Sequence, residues 1–298
     1  MIPKQVFLFW SGRAMSWLRY LTIRSLRAHN PDWTIVLYLC SHPQAGRTKP
    51  WSTNEKQDFF KYDGPDHSRD AYDLVDRIEN WQARLGDQSN PVAESDVFQW
   101  SIVSECGGYY SDMDILWIAP LDRIHAEHGS SDAVFCFGNW ELTIGFFGAN
   151  RGCQIVRRAA IHAKRIFDPA KYQSCGSEAL AKAIGYDLLI QHQSAGNKDK
   201  GLGKRIRRSA VRYAIRRNFP DQKVAYLDGN TIYPWLWHNA VNIFRNSLHT
   251  VPDETIGIHW YAGATWSQKY NNCTKLAKLH LHNSVLTREI RKLLDMAV

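Results

Sequence analysis

An alternation of strand-like and helix-like patterns in the first forty or so residues constrains the fold of this chain most strongly. Residues 4–10, KQVFLFW, and residues 34–40, TIVLYLC, are short apolar runs typical of buried strands. Between them, residues 14–28 repeat apolar side chains at helical spacing. Two strands joined by a helix form a βαβ unit, in which the strands run parallel. The alternation therefore predicts an α/β fold with a central, mainly parallel sheet flanked by helices.

The same kinds of pattern continue along the rest of the chain. Further helices are predicted over about 71–85, ending at Gly86, and over about 91–105, 151–167, 177–192 and 275–294. Further strands are predicted at 133–137, 143–149, 223–228 and 255–259. Residues 194–203 form a polar, glycine-containing linker. We expect one domain over residues 1–298 with a basic helical insertion around 194–220.

Composition limits the class of protein. A chain of 298 residues with 44% hydrophobic residues can bury a large core. It contains no run of 18 apolar residues, and residues 1–10 lack the basic flank and cleavage site of a secretory signal. We therefore expect a cytoplasmic protein. Its six cysteines include no CxxC pair, which argues against a zinc site and a disulfide framework.

Two aspartates interrupt an apolar, strand-like run at residues 107–122, GGYYSDMDILWIAPLD. Burying an unpaired carboxylate is costly, so Asp112 and Asp114 should meet a positive partner. Residues two apart in a strand share a face, and a turn would also bring the two carboxylates together. A hard cation such as Mg²⁺ or Mn²⁺ takes oxygen ligands and leaves positions open for substrate phosphates. Turn or capping aspartates are the alternative interpretation, so the surrounding residues decide between the two.

Three blocks of the sequence resemble one enzyme family: IPKQVFLFWSG at 2–12, ESDVFQWSIVSECGGYYSDMDI at 94–115, and IHWYAGATW at 258–266. They are similar to the DXD-motif, family 32 type glycosyltransferases of the GT-A fold. That family includes initiating mannosyltransferases and is related to the glucosyltransferase domains of large clostridial toxins. The resemblance spans residues 1 to about 270. It implies a GT-A type nucleotide-sugar-binding fold.

The resemblance also implies the reaction. A sugar would pass from a UDP- or GDP-sugar to an acceptor hydroxyl on a glycan, glycolipid or polysaccharide, with retention of anomeric configuration. A metal held by Asp112 and Asp114 would stabilise the charge that develops on the leaving diphosphate. Glu141 is a candidate acceptor-side base.

Further roles follow position by position from the resemblance. Trp10 matches the tryptophan that stacks on the nucleotide base, and Asp96 matches the helix aspartate that bonds the donor sugar. Relatives commonly carry an arginine where this chain has Gln99, so Gln99 remains a candidate donor contact and the identity of the donor stays open. Asp112 and Asp114 match the metal-binding and catalytic aspartates.

The third block resembles the loop that closes over the diphosphate. Its His259 would be a third metal ligand and its Trp266 a wall of the donor site, while Thr265 stands where relatives have serine. Since imidazole suits Mn²⁺ better than Mg²⁺, we expect Mn²⁺, or Mg²⁺, as the cofactor.

The basic character of the chain is concentrated at residues 204–217, KRIRRSAVRYAIRR, which hold seven Lys or Arg and no acid. A solvated helix, a groove for an anionic or lipid-linked acceptor, and a helix on an anionic membrane all fit this composition. In the membrane interpretation, the apolar residues that insert would be Ile206, Val211, Tyr213 and Ile215.

Two other classes of function remain open at this point. A metal-dependent phosphotransferase or nucleotidyltransferase would also use paired aspartates beside a tryptophan-lined nucleotide pocket. A non-catalytic membrane or nucleic-acid binding protein would depend on the basic segment alone and leave the aspartates unexplained. We therefore expect no nucleic-acid partner.

Overall fold

The computed structural model describes residues 1–40, 62, 64–86, 90–138, 141–186, 200–271 and 283–296, without the side chains of residues 200–206, 265 and 269. The strands are β1 (Gln5–Trp10), β2 (Thr34–Cys40), β3 (Arg77–Trp81), β4 (Gly108–Ser111), β5 (Ile115–Trp117), β6 (Ala133–Phe137), β7 (Leu142–Ala149), β8 (Val224–Leu227) and β9 (Gly257–His259). The helices are α1 (Trp17–His29), α2 (Ser68–Tyr72), α3 (Pro91–Cys106), α4 (Asp122–His128), α5 (Gln154–Arg165), α6 (Ser177–Ile184), α7 (Lys200–Asn218), α8 (Thr265–Asn271) and α9 (Val285–Leu294). Short 3-10 helices cover Gly229–Thr231 and Ala240–Phe244.

Seven strands form the central sheet in the order β3-β2-β1-β4-β7-β6-β8. Parallel pairing joins β3 to β2, β2 to β1, β1 to β4, and β6 to β8. Strand β7 runs antiparallel to both of its neighbours, β4 and β6. The predicted α/β class with a mainly parallel sheet is therefore confirmed. Strands β5 and β9 form a separate two-stranded sheet.

Helices cover both faces of the central sheet because successive strand residues point to opposite sides. In β1, Phe7 joins a core cluster on the face covered by α3, α5, α6 and α7. Its neighbour Leu8 joins the cluster on the opposite face, which includes Ile23 and Leu26 of α1. The sheet is thus buried on both sides.

Helix α3 and strand β4 together position the aspartate segment. The Asn90 side chain caps α3 by accepting hydrogen bonds from the backbone N–H groups of Val92 and Ala93. The helix ends at Gly107, whose φ of 70° is in the left-handed region that favours glycine. A side chain on Gly108, whose φ is 116°, would also meet the backbone of Gln5. The chain therefore passes directly from the end of α3 into the central strand β4.

The predicted helix over 71–85 is wrong. Helix α2 stops at Tyr72, and residues Arg77–Trp81 form β3, which pairs in parallel with β2. In this edge strand, Ile78 is 44% exposed, and only Trp81 is buried. The helical spacing of apolar residues over 71–85 does not determine the structure there, because pairing with the open edge of β2 does.

Other predicted boundaries need smaller changes. Helix α6 ends at Ile184, before Gly185 with its φ of 68°, and the predicted remainder over 187–192 lies outside the described residues. Residues 275–282 of the predicted closing helix are also outside, and α9 begins at Val285, after its N-cap Ser284, and ends at Leu294. The predicted linker over 194–203 lies partly outside, but residues 200–203 already belong to α7.

Helix α7 contains the basic segment and packs onto the protein by its apolar side. Val211 and Ile215 are buried in the core cluster with α3, α5 and α6, so the prediction that they insert into a membrane is wrong. Tyr213 is 65% exposed, whereas the side chain of Ile206 lies outside the described residues. Arg208 is tied to the protein through an ion pair with Asp228, with 2.8 Å between Nη1 and Oδ2.

Across the described residues, no helix combines the length and the apolar character needed to cross a membrane.

Candidate functional site

Asp112 and Asp114 lie in a turn between β4, which ends at Ser111, and β5, which begins at Ile115. The strand does not continue through them, so the turn brings them together. Backbone contacts hold this turn on both sides. The N–H of Asp112 donates to the Gly145 carbonyl at 2.7 Å, and the N–H of Trp260 donates to the Asp114 carbonyl at 2.9 Å.

Antiparallel pairing of β9 with β5 brings His259 to the two aspartates. In this pairing, His259 lies opposite Ile115, the residue after Asp114. The Nε2 atom of His259 is 3.2 Å from Asp114 Oδ1 and 3.6 Å from Asp112 Oδ2. Ligand atoms of the three side chains all lie within 4.8 Å of one another. We call Asp112, Asp114 and His259 the metal-ligand cluster.

The charges of the metal-ligand cluster act on His259. Burial alone would lower the pKa of His259, but the negative charges of Asp114 and Asp112 outweigh burial and raise it above 6.5. Its Nδ1 atom is buried and makes no hydrogen bond with the described residues. The imidazole thus meets the carboxylates through Nε2.

The two carboxylates are held by hydrogen bonds on the sides away from His259. The Tyr110 hydroxyl donates to Asp112 Oδ1 at 2.7 Å and also lies 2.8 Å from Ser95 Oγ. The N–H of Ala262 donates to Asp114 Oδ2 at 2.7 Å. Each aspartate therefore keeps one oxygen fixed by the protein and the other near Nε2 of the histidine.

This donor set fits a divalent cation. Carboxylate oxygens and an imidazole nitrogen are the ligand types of Mg²⁺ and Mn²⁺ sites, and the imidazole favours Mn²⁺. Converging ligand atoms with fixed orientations also match the way in which surrounding hydrogen bonds support metal ligands.

The absence of a side chain at Gly145 leaves room for the carboxylate of Asp112. A Cβ atom at this position would lie 2.5 Å from Asp112 Oδ2 and 2.8 Å from the Tyr233 hydroxyl, which is closer than real Cβ atoms come. The sequence interpretation did not include Gly145 or Tyr110. A glycine inside strand β7, and a tyrosine two residues before the first aspartate in the strand-like run of the sequence, were the signals that could have identified them.

Asp96 and Gln99 lie together on α3. Asp96 is 7% exposed and accepts a hydrogen bond from Gln99 Nε2 to its Oδ1 at 3.1 Å. Burial, and then the negative charge of Asp112, raise the pKa of Asp96 well above its usual value. The preceding helix residue, Ser95, lies 2.8 Å from the Tyr110 hydroxyl that donates to Asp112, so this part of α3 adjoins the metal-ligand cluster.

Trp10 lies at the end of β1 and is partly buried. The Arg19 guanidinium is 5.6 Å from the centre of the Trp10 ring and 5.4 Å from the centre of the Trp260 ring. Trp260 adjoins the metal-ligand cluster because it follows His259 and bonds Asp114 through its backbone. Trp10 therefore connects to the cluster through Arg19 and Trp260.

Trp266 lies on α8, and its ring centre is 6.2 Å from that of Tyr261. The Tyr261 ring is in turn 4.3 Å from the His259 ring. Glu141 is exposed, just before β7.

Comparison with protein families agrees with the sequence resemblance. Residues 19–130 match a family model described as the glycosyltransferase sugar-binding region containing a DXD motif. The matched segment includes Asp96, Asp112 and Asp114, whereas Trp10, His259 and Trp266 lie outside it. The resemblance to DXD-motif glycosyltransferases is thus confirmed. No curated protein matches the sequence significantly.

Several solved structures of glycosyltransferases resemble this chain at low sequence identity. The PaToxG glycosyltransferase is 11% identical, with 74% of this chain and 86% of that chain covered and a TM-score of 0.43. For the glycosyltransferase GlyE of Streptococcus pneumoniae TIGR4 the identity is 14%, the coverage 100% of this chain and 61% of that chain, and the TM-score 0.42. The galactosyltransferase LgtC, in complex with donor and acceptor sugar analogs, is 11% identical. The match covers 99% of this chain and 96% of that chain, with a TM-score of 0.43.

Proposed function

We propose, from the match of residues 19–130 to the glycosyltransferase sugar-binding region with a DXD motif, that this protein is a metal-dependent, retaining hexosyltransferase. It moves a sugar from a UDP- or GDP-sugar to an acceptor hydroxyl on a glycan, glycolipid or polysaccharide. The observation that carries the proposal is the convergence of Asp112, Asp114 and His259 within 4.8 Å.

Asp112, Asp114 and His259 would hold Mn²⁺, or Mg²⁺. When bound, the cation supplies Lewis-acid stabilisation of the negative charge on the leaving diphosphate. The chain's own contribution is to fix the ligands before substrate arrives. Tyr110 and the Ala262 N–H do this by each holding one carboxylate oxygen.

Asp96 and Gln99 form the proposed contact to the donor sugar. Because its pKa is raised, Asp96 retains a proton more readily than an exposed carboxyl, and a protonated carboxyl can both donate to and accept from sugar hydroxyls. Gln99 fixes its orientation through the bond to Oδ1. The pair thus suits recognition of a neutral, hydroxyl-rich group.

Trp10 is the proposed platform for the nucleotide base, and Trp266 the proposed wall of the donor site. The partly buried indole of Trp10 offers a flat apolar surface, and the neighbouring Arg19 adds a positive charge that would attract a diphosphate. Glu141 remains a candidate acceptor-side base, supported by its place before β7, which passes Asp112 at Gly145.

The exposed side of α7 supports a peripheral position at the cytoplasmic face of an anionic membrane. Arg212, Tyr213, Arg216 and Arg217 are exposed and recur at helical spacing on the side opposite Val211 and Ile215. Cations near an anionic leaflet each contribute up to about 1 kcal/mol, and a tyrosine favours the interface. Anionic acceptors would meet the same charges.

The test of the reaction is a screen of UDP- and GDP-sugars with Mn²⁺, Mg²⁺ or a chelator, with Asp114→Asn as the control. We expect metal-dependent release of UDP or GDP from one donor, and NMR of the product should show the anomeric configuration of that donor. Release of pyrophosphate, or of a sugar phosphate, would instead indicate nucleotidyl or phosphoryl transfer.

The membrane position is tested separately by sedimentation with vesicles. The wild type should sediment with phosphatidylserine vesicles, not with phosphatidylcholine alone, and should dissociate as salt shortens the Debye length below about 10 Å. The triple variant Arg212→Gln, Arg216→Gln, Arg217→Gln should stay in solution while retaining donor hydrolysis. Loss of hydrolysis with normal sedimentation would place these arginines with the substrate instead.

A further inference from the structure

A line of aromatic side chains leads from the metal-ligand cluster to the surface of the protein. The ring centres of His259 and Tyr261 are 4.3 Å apart, and those of Tyr261 and Trp237 are 5.5 Å apart. Trp237 also lies 6.0 Å from Trp266, measured between ring centres. The Trp237 ring is therefore within about 10 Å of the His259 ring.

Trp237 is the outermost member of this line, with 43% of its surface exposed. Of the ten tryptophans that the structure describes, it alone is exposed, while Trp10 and Trp266 are partly buried and the others are buried. Its near neighbour Trp235 is 9% exposed, so the same loop contributes one indole to the core and one to solvent. Leaving a large apolar ring in water gives up the free energy that its burial would provide. The exposed indole is thus a feature that packing does not explain.

Tyr261 holds a fixed spacing between Trp237 and the metal-ligand cluster. Its φ is 52°, in the left-handed region that non-glycine residues rarely adopt. The Tyr261 hydroxyl donates to the Trp235 carbonyl at 3.1 Å, and Ser267 Oγ donates to the Tyr261 carbonyl at 2.6 Å. Such a backbone conformation persists where surrounding contacts determine it, and it is often found at ligand sites. Tyr261 is therefore held both at its side-chain hydroxyl and at its backbone carbonyl.

We propose that Trp237, supported by Trp266, is a stacking platform for a pyranose ring of the acceptor. The C–H face of a pyranose is apolar while its edge carries hydroxyls, so it suits an indole that is 43% exposed at the surface. A sugar on this platform is near enough to direct a hydroxyl toward the reacting centre beside His259. This inference rests on the proposed glycosyl transfer for its assignment to the acceptor.

The acceptor is favoured over the donor because Trp237 is linked to the cluster separately from Trp10, the proposed base platform, and meets the proposed donor site at its wall residue, Trp266. Trp10, the proposed platform for the base, is linked to the cluster by Arg19 and Trp260. Trp237 is linked to it by Tyr261, and in the described part of the chain no ring contact joins Trp237 to Trp10 or Trp260. A transferase binds two substrates, so we assign Trp237 to the substrate that the Trp10 surface does not hold.

The binding test uses saturation-transfer NMR with a panel of methyl glycosides of common hexoses as probes. The wild type should bind at least one of them, and Trp237→Ala should lose this signal, whereas Trp237→Phe should keep part of it. The matched control is Ile161→Ala, which truncates an apolar residue with the same exposed fraction of 43%. Unchanged glycoside binding by Trp237→Ala, or no binding by the wild type, would overturn the platform.

A kinetic test separates the platform from the reaction itself. With the donor identified, Trp237→Ala should raise the KM for the acceptor by about fivefold or more, and should leave acceptor-free donor hydrolysis and the Kd for UDP or GDP unchanged. An equal loss of nucleotide binding would assign Trp237 to the donor site and refute the proposal. If no nucleotide sugar is cleaved by the wild type, the proposed transfer fails, while the NMR result still decides whether Trp237 binds a sugar.

Discussion

The Nε2 atom of His259 lies 3.2 Å from Oδ1 of Asp114, which makes the imidazole both a counter-ion and a competitor for a bound cation. A protonated His259 partly neutralises the two carboxylates in the absence of metal. A histidine that ligates a metal must instead be neutral, so cation binding has to remove that proton.

This relationship predicts opposite pH dependences for stability and for metal binding. Because the pKa of His259 is raised in the folded protein above 6.5, its contribution to metal-free stability is fully present below pH 6.5 and is lost as pH rises through the raised pKa. Mn²⁺ affinity should increase over the same interval. Thermal unfolding with chelator and calorimetric titration with Mn²⁺, from about pH 6 to about pH 9, measure the two effects. His259→Gln should remove both trends, and their persistence in that variant would contradict the assignment.

The two aspartates should differ in their structural roles although both are needed for transfer. We expect Asp112→Asn and Asp114→Asn each to lower metal-dependent turnover by about 100-fold or more. Without metal, Asp112→Asn should leave the melting temperature unchanged or raised, since it relieves repulsion of Asp114 and Asp96. The melting temperature of Asp114→Asn should be lower than that of Asp112→Asn, because the Asp114 variant weakens the closer pairing with His259. Wild-type turnover in either variant would remove the metal assignment.

Gly145→Ala should damage the metal centre without introducing a charge. The added Cβ would lie 2.5 Å from Asp112 Oδ2, so the carboxylate must move. We expect Mn²⁺ affinity to fall by about tenfold or more, as for other residues that orient metal ligands. Gly263→Ala is the control, because a Cβ there meets nothing within 4 Å. Equal Mn²⁺ affinity of the two variants in a calorimetric titration would show that Asp112 is not confined by Gly145.

Trp10→Ala should weaken nucleotide binding by about 1 to 3 kcal/mol if a base stacks on the indole. Trp10→Phe retains an aromatic face and should recover most of the affinity. Calorimetric titrations with UDP and with GDP in the presence of Mn²⁺ provide the measurement, and melting temperatures exclude a general loss of fold. A Kd that does not change in Trp10→Ala would remove the stacking role.

Much of the fold could be predicted from local pattern. Strands β1 and β2 are continuous apolar runs, and α3 has a visible start at Asn90 and Pro91 and an end at Gly107. Strand β3 could not be predicted in this way, since only Trp81 of its five residues is buried. Its structure comes from pairing with β2, which is a property of the assembled sheet.

The site was predictable to the extent that its residues are close in sequence. Asp112 and Asp114 are evident from their apolar surroundings, and a two-residue period would have added Tyr110. No local pattern brings His259 to them, because the contact depends on the pairing of β9 with β5. Only the resemblance to a family pointed to His259.

The pairing of β9 with β5 also sets an order of events during synthesis. Since a chain leaves the ribosome from its N-terminus, the aspartate turn emerges long before the strand that contains His259. Until that strand docks, the nascent protein holds two neighbouring carboxylates without their histidine. The protein therefore acquires its capacity to bind the cation tightly only after β9 has been synthesised and has paired with β5.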